Sequence, residues 1–353
     1  MSIYIKALGN VSPQETLDSS VFLENVRGYD KAYCKSVEPN YKEFISPAAA
    51  RRMGKVIKMG VASANLCLKE AGVNMPDAII TGTGLGCILD TEVFLSAIHD
   101  NKEQFLTPTS FIQSTHNTVG AQIALLLGCK NYNFTYVHRG MSFENALQDA
   151  VMLINEKEAA NALVGGVDEL TDYYVEILRK MGRLKNVDNT LDLLNAKGSG
   201  SAAGEGAAFF FISDNKNAGK NYAEFLDVHT FHKGSDNEVT ENLVAFLRKN
   251  QLSLNDIDVA VLGLSGDEES DSIYRRLMDS QLTGKAIAAF KHLCGEHTSA
   301  SAFAMWMGAQ IADKQRVPGP ALVIGNAPAK IKNILIYNHY RRINNSFMLL
   351  KAC

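Results

Sequence analysis

Residues 133–166 read NFTYVHRGMSFENALQDAVMLINEKEAANALVGG, and they decide the fold class. NFTYV (133–137) has the aromatic and β-branched content of a strand. From Ser142 to Asn155 the apolar residues change period. Phe143, Ala146, Leu147, Ala150 and Ile154 fall at i, i+3, i+4, i+7 and i+11, one buried helical stripe. ALVGG (162–166) is apolar without alternation, as in a strand covered on both faces. Strand, turn, amphipathic helix and buried strand in succession indicate an α/β layer structure.

The alternation extends outward in both directions. Upstream, VIKMGVASANLCLKEA (56–71) is a helix stopped by Gly72, and DAIITGTGLG (77–86) is a buried strand running into a glycine turn. Residues 118–127 form a helix stopped by Gly128. GEGAA (204–208) runs into an apolar strand at Phe209–Phe211. Downstream, helices are expected over 241–250, 272–282 and 298–311. Strands are expected at 258–266, 286–290, 321–325, 334–338 and 347–351. The chain turns polar near Asp214, so two halves are expected, residues 1–214 and 215–353. No low-complexity linker parts them, and they are expected to pack as one body. Sequence self-similarity between them is weak.

Of the 353 residues 46% are hydrophobic and 21% charged, with a net charge of -3, which lacks the basic footprint of a nucleic-acid binder. No apolar run has the length to span a bilayer. The opening MSIYIKALGN carries no basic region followed by a long apolar one, so no signal peptide is expected. Cysteines 34, 67, 87, 129, 294 and 353 show no CxxC pair and no zinc-like spacing. These features predict a cytoplasmic protein without metal or cofactor, whose partners are neither nucleic acid nor membrane.

Three segments carry reactive residue types. Gly82-Thr83-Gly84-Leu85-Gly86 is GxGxG rather than GxGxxG, and no clear helix with its own cap follows; a tight turn is favoured over a dinucleotide loop. His138-Arg139-Gly140-Met141-Ser142 joins a strand to a helix start, where α/β enzymes place a nucleophile or bind an anion. Gly140 has no side chain. Ser142 is a candidate nucleophile with His138 as its base, although capping a helix is a commoner task for serine. KHLCGEHT (291–298) admits three readings: Cys294 as a thiolate paired with a histidine such as His297, a metal set of His292, Cys294 and His297, or the remnant of another active site.

Together these segments resemble a β-ketoacyl synthase. Leu127–Lys130 matches the end of the helix before the nucleophile strand, and Gly165-Gly166-Val167-Asp168-Glu169 matches the family's glycine pair. Gly204–Ala208 matches G-E-G-A, and Lys291 through Gly295, followed by a Ser/Ala-rich helix, matches K-x-x-x-G-H-x-x-G-A. The strand pair around Asn344 and Ser346 resembles the family's terminal turn and strand. The resemblance covers nearly the whole chain, in the right order. It implies a thiolase-like α/β/α/β/α fold built from two similar halves.

The same resemblance places the family's acyl-accepting cysteine on Gly140, or on Val137 after a slide of three residues. The first histidine falls on Leu262, give or take one residue, and the second on Glu296, with His297 beside it. Lys291 is retained. Arg341 and Arg342 replace the terminal-turn glycines, with Tyr340 at the gatekeeping aromatic position. Claisen condensation needs a thiolate to hold the acyl chain and imidazoles to stabilise the enolate; leucine donates no hydrogen bond and an ionised glutamate repels an oxyanion. The resemblance therefore implies no intact catalytic set and a degenerate member similar to chain-length factors. Such a chain is a non-condensing partner of an active ketosynthase in type II fatty acid, polyene or polyketide biosynthesis. A heterodimer is implied, or a homodimer, with acyl carrier protein as a further partner. Residues 133–137, Tyr136 among them, would meet the neighbour across the dimer. Phe111, Gln113 and His116 of PTSFIQSTHN (108–117) would line its acyl tunnel or pack within their own subunit. Two alternatives stand beside this reading. One is an active synthase or acyltransferase using Cys294 or Ser142, and the other a homodimeric protein that holds a lipid or thioester in the old pocket.

Overall fold

The helical stripe over 142–155 and the small-residue helix over 118–127 fold with the bounds their periodicity predicts. The second ends on Gly128 at φ 65°, in the left-handed region where a residue without Cβ closes a helix at least cost. The computed structural model describes residues 2–353. Its first half runs β1 (Ile3–Val11), β2 (Tyr33–Cys34), α1 (Pro47–Ala50), α2 (Lys55–Ala71) and β3 (Ala78–Gly82). It continues through α3 (Ile88–Asp100), α4 (Pro108–Gln113), α5 (Thr118–Leu127), β4 (Tyr132–Tyr136) and α6 (Ser142–Asn155). β5 (Asn161–Asp168), α7 (Asp172–Lys180), β6 (Ala203–Gly204) and β7 (Gly206–Ser213) complete it. The second half comprises β8 (Ala223–His232), α8 (Asp236–Lys249), β9 (Val259–Leu262), α9 (Glu268–Asp279) and β10 (Ala286–Ala289). It ends with α10 (Lys291–Cys294), α11 (Ala300–Lys314), β11 (Leu322–Ile324), β12 (Asn333–Tyr340) and β13 (Asn344–Lys351).

Eleven strands form one sheet in the order β11-β10-β9-β12-β13-β8-β1-β7-β5-β3-β4. The order contains a repeat. In the first half β3 lies parallel to both β4 and β5, and β7 lies antiparallel between β5 and β1. In the second half β9 lies parallel to β10 and β12, and β13 lies antiparallel between β12 and β8. The two sets meet where β1 pairs β8 through Ile3, Tyr4 and Ile5. The duplication that residue identities hide is thus plain in strand order and direction.

The core falls into three apolar layers. α6 and α11 fill the middle one, packed on sheet residues of both halves such as Phe210, Val261 and Ile336. α2 and α5 cover the outer face of the first half with Val56, Met59, Val119 and Ile123. α8 and α9 cover the outer face of the second with Leu243, Phe246, Tyr274 and Leu277. Helix, sheet, helix, sheet, helix is the predicted architecture. α11 is buried from Ala300 through Ala312, and its Trp306 packs edge-on against Phe22 at 5.8 Å between ring centroids. No helix among the described residues is long and apolar enough to cross a membrane.

One local expectation fails. α3 does follow the GxGxG turn, although Cys87 at its N-cap gives no side-chain cap. Its cap comes from elsewhere in the chain, as the site geometry explains. α8 and α9 begin earlier than expected, at Asp236 and Glu268, because Ser235 and Asp267 cap them.

Trp306→Ala should cost about 3–5 kcal/mol, the usual penalty for emptying a well-packed aromatic site. The shift in urea midpoint at constant slope measures it.

Candidate active site

Between β4 and α6 the chain makes a single tight turn over Arg139–Met141, with Gly140 buried in it. A Cβ built on Gly140 would fall 2.8 Å from Cγ of Tyr340. Tyr340, the last residue of β12, therefore occupies the space a side chain at 140 would need. Val137, the alternative after a slide of three residues, is exposed. The Ser142 hydroxyl donates to the Arg139 carbonyl at 2.7 Å and accepts from the His138 backbone N–H at 2.8 Å. Both contacts lock the turn. The His138 ring lies on the surface against Asn145 at 3.0 Å, so serine and histidine meet only through the backbone. The expected nucleophile–base pair is not assembled.

Lys291 opens the short α10 and is fully buried. Its Nζ donates to Glu296 Oε2 at 2.7 Å and to the His339 carbonyl at 2.9 Å. Burial raises the Glu296 carboxyl above its ordinary range, against the pull of Lys291. Leu262 does not face this pair. It belongs to the apolar layer under α8 and α9. Its successor does: a Cβ on Gly263 would stand 3.2 Å from Lys291 Cε. It would also stand 2.6 Å from both the Asn338 Oδ1 and the Tyr274 hydroxyl oxygen. Gly263, within the one-residue margin of the Leu262 placement, thus faces the lysine, and the space for a side chain on it is already filled.

His339 is the histidine nearest this centre that sequence reasoning passed over. It stacks on Tyr274 at 4.5 Å, its Nε2–H donates to the Ser270 carbonyl at 2.9 Å, and its Nδ1 accepts from Arg342 N at 3.2 Å. Burial, with Lys291 beside it, pushes its pKa down to about 3, so the ring is neutral. Cys294 lies apart, lining a small inner cavity with Asn10 and Ser299. Burial drives its thiol far above the thiolate range, the opposite of an activated nucleophile. His292 turns away to donate to the Pro320 carbonyl at 2.9 Å, which dissolves the metal trio. Burial lowers the pKa of His297, which stands between the inner cavity and a larger outer one.

The frame around these residues is held by adjacent carboxylates. Asp168 Oδ1 accepts from the Thr83 hydroxyl (2.9 Å), Gly84 N (3.0 Å) and Leu85 N (3.1 Å), and Oδ2 accepts from the Thr298 hydroxyl (2.6 Å). The glycine turn therefore cradles a side chain of its own protein rather than a phosphate. Glu169 accepts from Leu89 N at 3.1 Å and Val56 N at 3.2 Å, capping the starts of α3 and α2 together. Burial raises its pKa to about 7, with the neighbouring Asp90 and Glu205 adding to the rise. Glu205 of the GEGAA segment accepts from Ser36 N at 2.7 Å and Leu170 N at 2.9 Å and pairs with Lys55. The signal for Asp168 and Glu169 was present in G-G-x-D-E at a strand end, but their partners are mostly backbone donors without sequence identity.

The outer cavity encloses about 760 Å³ with its mouth, and Asp168, Glu296, His297, Thr298, Tyr340 and Arg341 are among the residues that line it. On another face, β4 is the outermost strand and pairs only with β3. In its row of Tyr132, Phe134 and Tyr136 the first two rings stack at 6.3 Å and the last two pack tilted at 5.0 Å. Tyr132, Phe134 and Val137 are exposed, as are Leu125 and Leu126 of α5. Phe111 on α4 is 56% exposed and packs on Phe94 at 5.4 Å. Gln113 is half-buried, with an Oε1 that has no partner among the described residues, and His116 lies against Gly86. These three residues are not gathered into their own subunit's cavity.

Asp168→Asn should lower stability by about 1–3 kcal/mol, because a charged acceptor of four donors becomes a neutral one. Chemical denaturation reads that loss. Glu169 holds its proton more tightly when folded than unfolded. Its contribution is therefore complete below about pH 4.5, its ordinary value, and is lost as pH rises through about 7. Glu169→Gln has no such proton to lose, so its melting temperature should decline less than that of the parent between pH 5 and 8.

No curated protein sequence matches the chain. Many solved structures share its fold, among them three whose matches cover 100% of this chain and 99% of theirs. The ishigamide ketosynthase/chain length factor has a TM-score of 0.81 at 15% identity. A β-ketoacyl synthase from Burkholderia phymatum STM815 has 0.83 at 13%. The third, with 0.77 at 14%, comes from a type II PKS acyl-carrier protein in complex with its ketosynthase bound to the hexaketide. Residues 20–218, more than half of the chain, match the family described as β-ketoacyl synthase, N-terminal domain. With that match and a thiolase-like fold of two similar halves, the chain belongs to the β-ketoacyl synthase family.

Proposed function

We propose that this chain is a non-condensing ketosynthase-fold subunit that pairs with an active ketosynthase. One observation carries the proposal. The positions that would hold the acyl-accepting sulfur and the first imidazole are glycines, and the space before each is filled from within. Tyr340 covers Gly140, while Asn338 and Tyr274 cover Gly263. At the second imidazole position Glu296 is tied to Lys291. A site without a thiolate cannot hold an acyl thioester, and a carboxylate supplies no hydrogen bond to an enolate oxygen.

The partner reading rests on β4. An outermost strand with aromatic residues along an open hydrogen-bonding edge is a template for another strand, and the exposed apolar residues of α5 widen the surface. A ketosynthase-fold neighbour offers the same edge in antiparallel orientation. Phe111, Gln113 and His116 would then lie toward the neighbour's tunnel. The likeness to a ketosynthase/chain length factor, and to a ketosynthase in complex with an acyl-carrier protein, supports type II fatty acid, polyene or polyketide assembly in the cytoplasm, with carrier protein as a second partner. The halves 1–214 and 215–353 are the two copies of an ancestral unit.

Co-expression with an active synthase should give a one-to-one heterodimer by native mass spectrometry, and Phe134→Lys should disperse it. A stable homodimer indifferent to the synthase would sink the partner assignment. Incubation with acyl and malonyl carrier-protein thioesters should leave the intact mass unchanged, and an acyl adduct on Cys294 or Ser142 would restore the enzyme reading. Gly140→Cys should cost about 1–3 kcal/mol by crowding Tyr340 and should yield no condensation product by chromatography.

A further inference from the structure

We propose that the outer cavity is a reversible binding site for an anion on an apolar chain, its head held between Arg183 and Arg341. This goes beyond the partner role by giving the chain a ligand of its own. The cavity opens to solvent, and its lining combines an apolar wall with a few polar groups, as ligand sites do. Leu85, Leu170, Leu178 and Leu184 supply apolar wall, and Tyr174 and Tyr340 add aromatic faces.

The polar groups at its surface divide by sign. Every carboxylate is engaged from within the protein: Asp168 by four donors, Glu169 by two backbone N–H groups, and Glu296 by Lys291. Asp267 likewise accepts from Ser270 N at 2.8 Å and Gly200 N at 2.5 Å. The two guanidinium groups are not so engaged. Arg183, in the loop after α7, is exposed and makes no side-chain hydrogen bond or ion pair among the described residues. Arg341 lies over the Tyr340 ring at 5.0 Å and reaches Glu296 only through its longer-range field. The unspent hydrogen-bonding capacity at the mouth is therefore cationic, in the fork geometry that suits a carboxylate or phosphate.

Backbone strain points the same way. Arg341 and Arg342 both adopt left-handed φ, 53° and 54°, in the turn between β12 and β13. Each is strained there relative to glycine. Arg342 offsets its cost by pairing with Asp236 and donating to Ser272 Oγ at 3.0 Å, which fixes the turn. Arg341 has no such internal partner among the described residues, so strain and charge are kept together at the cavity, as in a ligand clamp.

The shared head-group chemistry is a carboxylate, as on a free acyl acid, or a phosphate monoester. Calorimetric titration of the full chain with decanoate, decyl phosphate and decanol tests the site and separates the two heads. Either anion should bind at least tenfold more tightly than decanol, and the tighter of the two identifies the head. Raising NaCl to 0.5 M should weaken anion binding severalfold and leave decanol unchanged. Arg183→Ala with Arg341→Ala should lose at least tenfold in anion affinity, while Arg183→Lys with Arg341→Lys recovers part of it. Equal binding of decanol and decanoate, salt-independent anion binding, or no saturable binding overturns the proposal. Because the salt series uses the unaltered chain, it decides the matter even if the alanine pair fails to fold. Dimer formation and acylation are read separately, so the partner proposal and this one fail independently.

Discussion

The end of β5 is the point on which the rest of the architecture depends. Asp168 and Glu169 sit side by side there and take hydrogen bonds from the glycine turn after β3, from Thr298 just before α11, and from the first turns of α2 and α3. Two carboxylates thus locate two outer helices, the central helix and the floor of the cavity. Their partners are mostly N–H groups that would otherwise be left without acceptors at helix starts and turns. Burial, with Asp90 and Glu205 nearby, raises the Glu169 pKa to about 7. Asp168, with four donors, has the compensation that a buried negative charge needs.

Around that frame the centre next to Lys291 is tightly packed. The end of β12 does most of the filling: Asn338 stands before Gly263, Tyr340 before Gly140, and the carbonyl of His339 receives Lys291. A cavity left by lost side chains would cost stability in proportion to its volume. Aromatic and amide groups from a neighbouring strand remove that cost while keeping the backbone of the family. Lys291 has an internal counter-charge in Glu296, without which a fully buried lysine would be expensive.

Much of this was legible in residue order. The helices at 118–127 and 142–155 could be bounded because their inner faces are apolar and one of them ends on glycine. α3 could not: Leu89, Val93 and Leu95 are exposed, so no stripe marks a buried face, and its cap is supplied by Glu169, eighty residues further on. The Lys291–Glu296 pair was within reach of pattern because the two stand five positions apart on one short segment. The choice between Leu262 and Gly263 was left open by one residue, since gapless placement cannot see which side of a strand end faces the lysine. Asp168 and Glu169 stood in a matched motif without a role, because hydrogen bonds to distant backbone leave no trace in the chemistry of neighbouring letters. The repeat is a matter of strand order alone, which drifting side chains have erased from the sequence.

The position of α11 has a consequence for synthesis. The first-half sheet can close once β7 has emerged at Ser213, because β1, β7, β5, β3 and β4 are then all available. Its inner face, with Phe210, Ala208 and Val164, is covered partly by α11, which ends at Lys314. At about 5–20 residues per second, roughly 5–20 s pass between those two points on the ribosome. Throughout that interval a finished sheet presents an uncovered oily surface, so nascent chains of this protein should need a holdase until the central helix arrives.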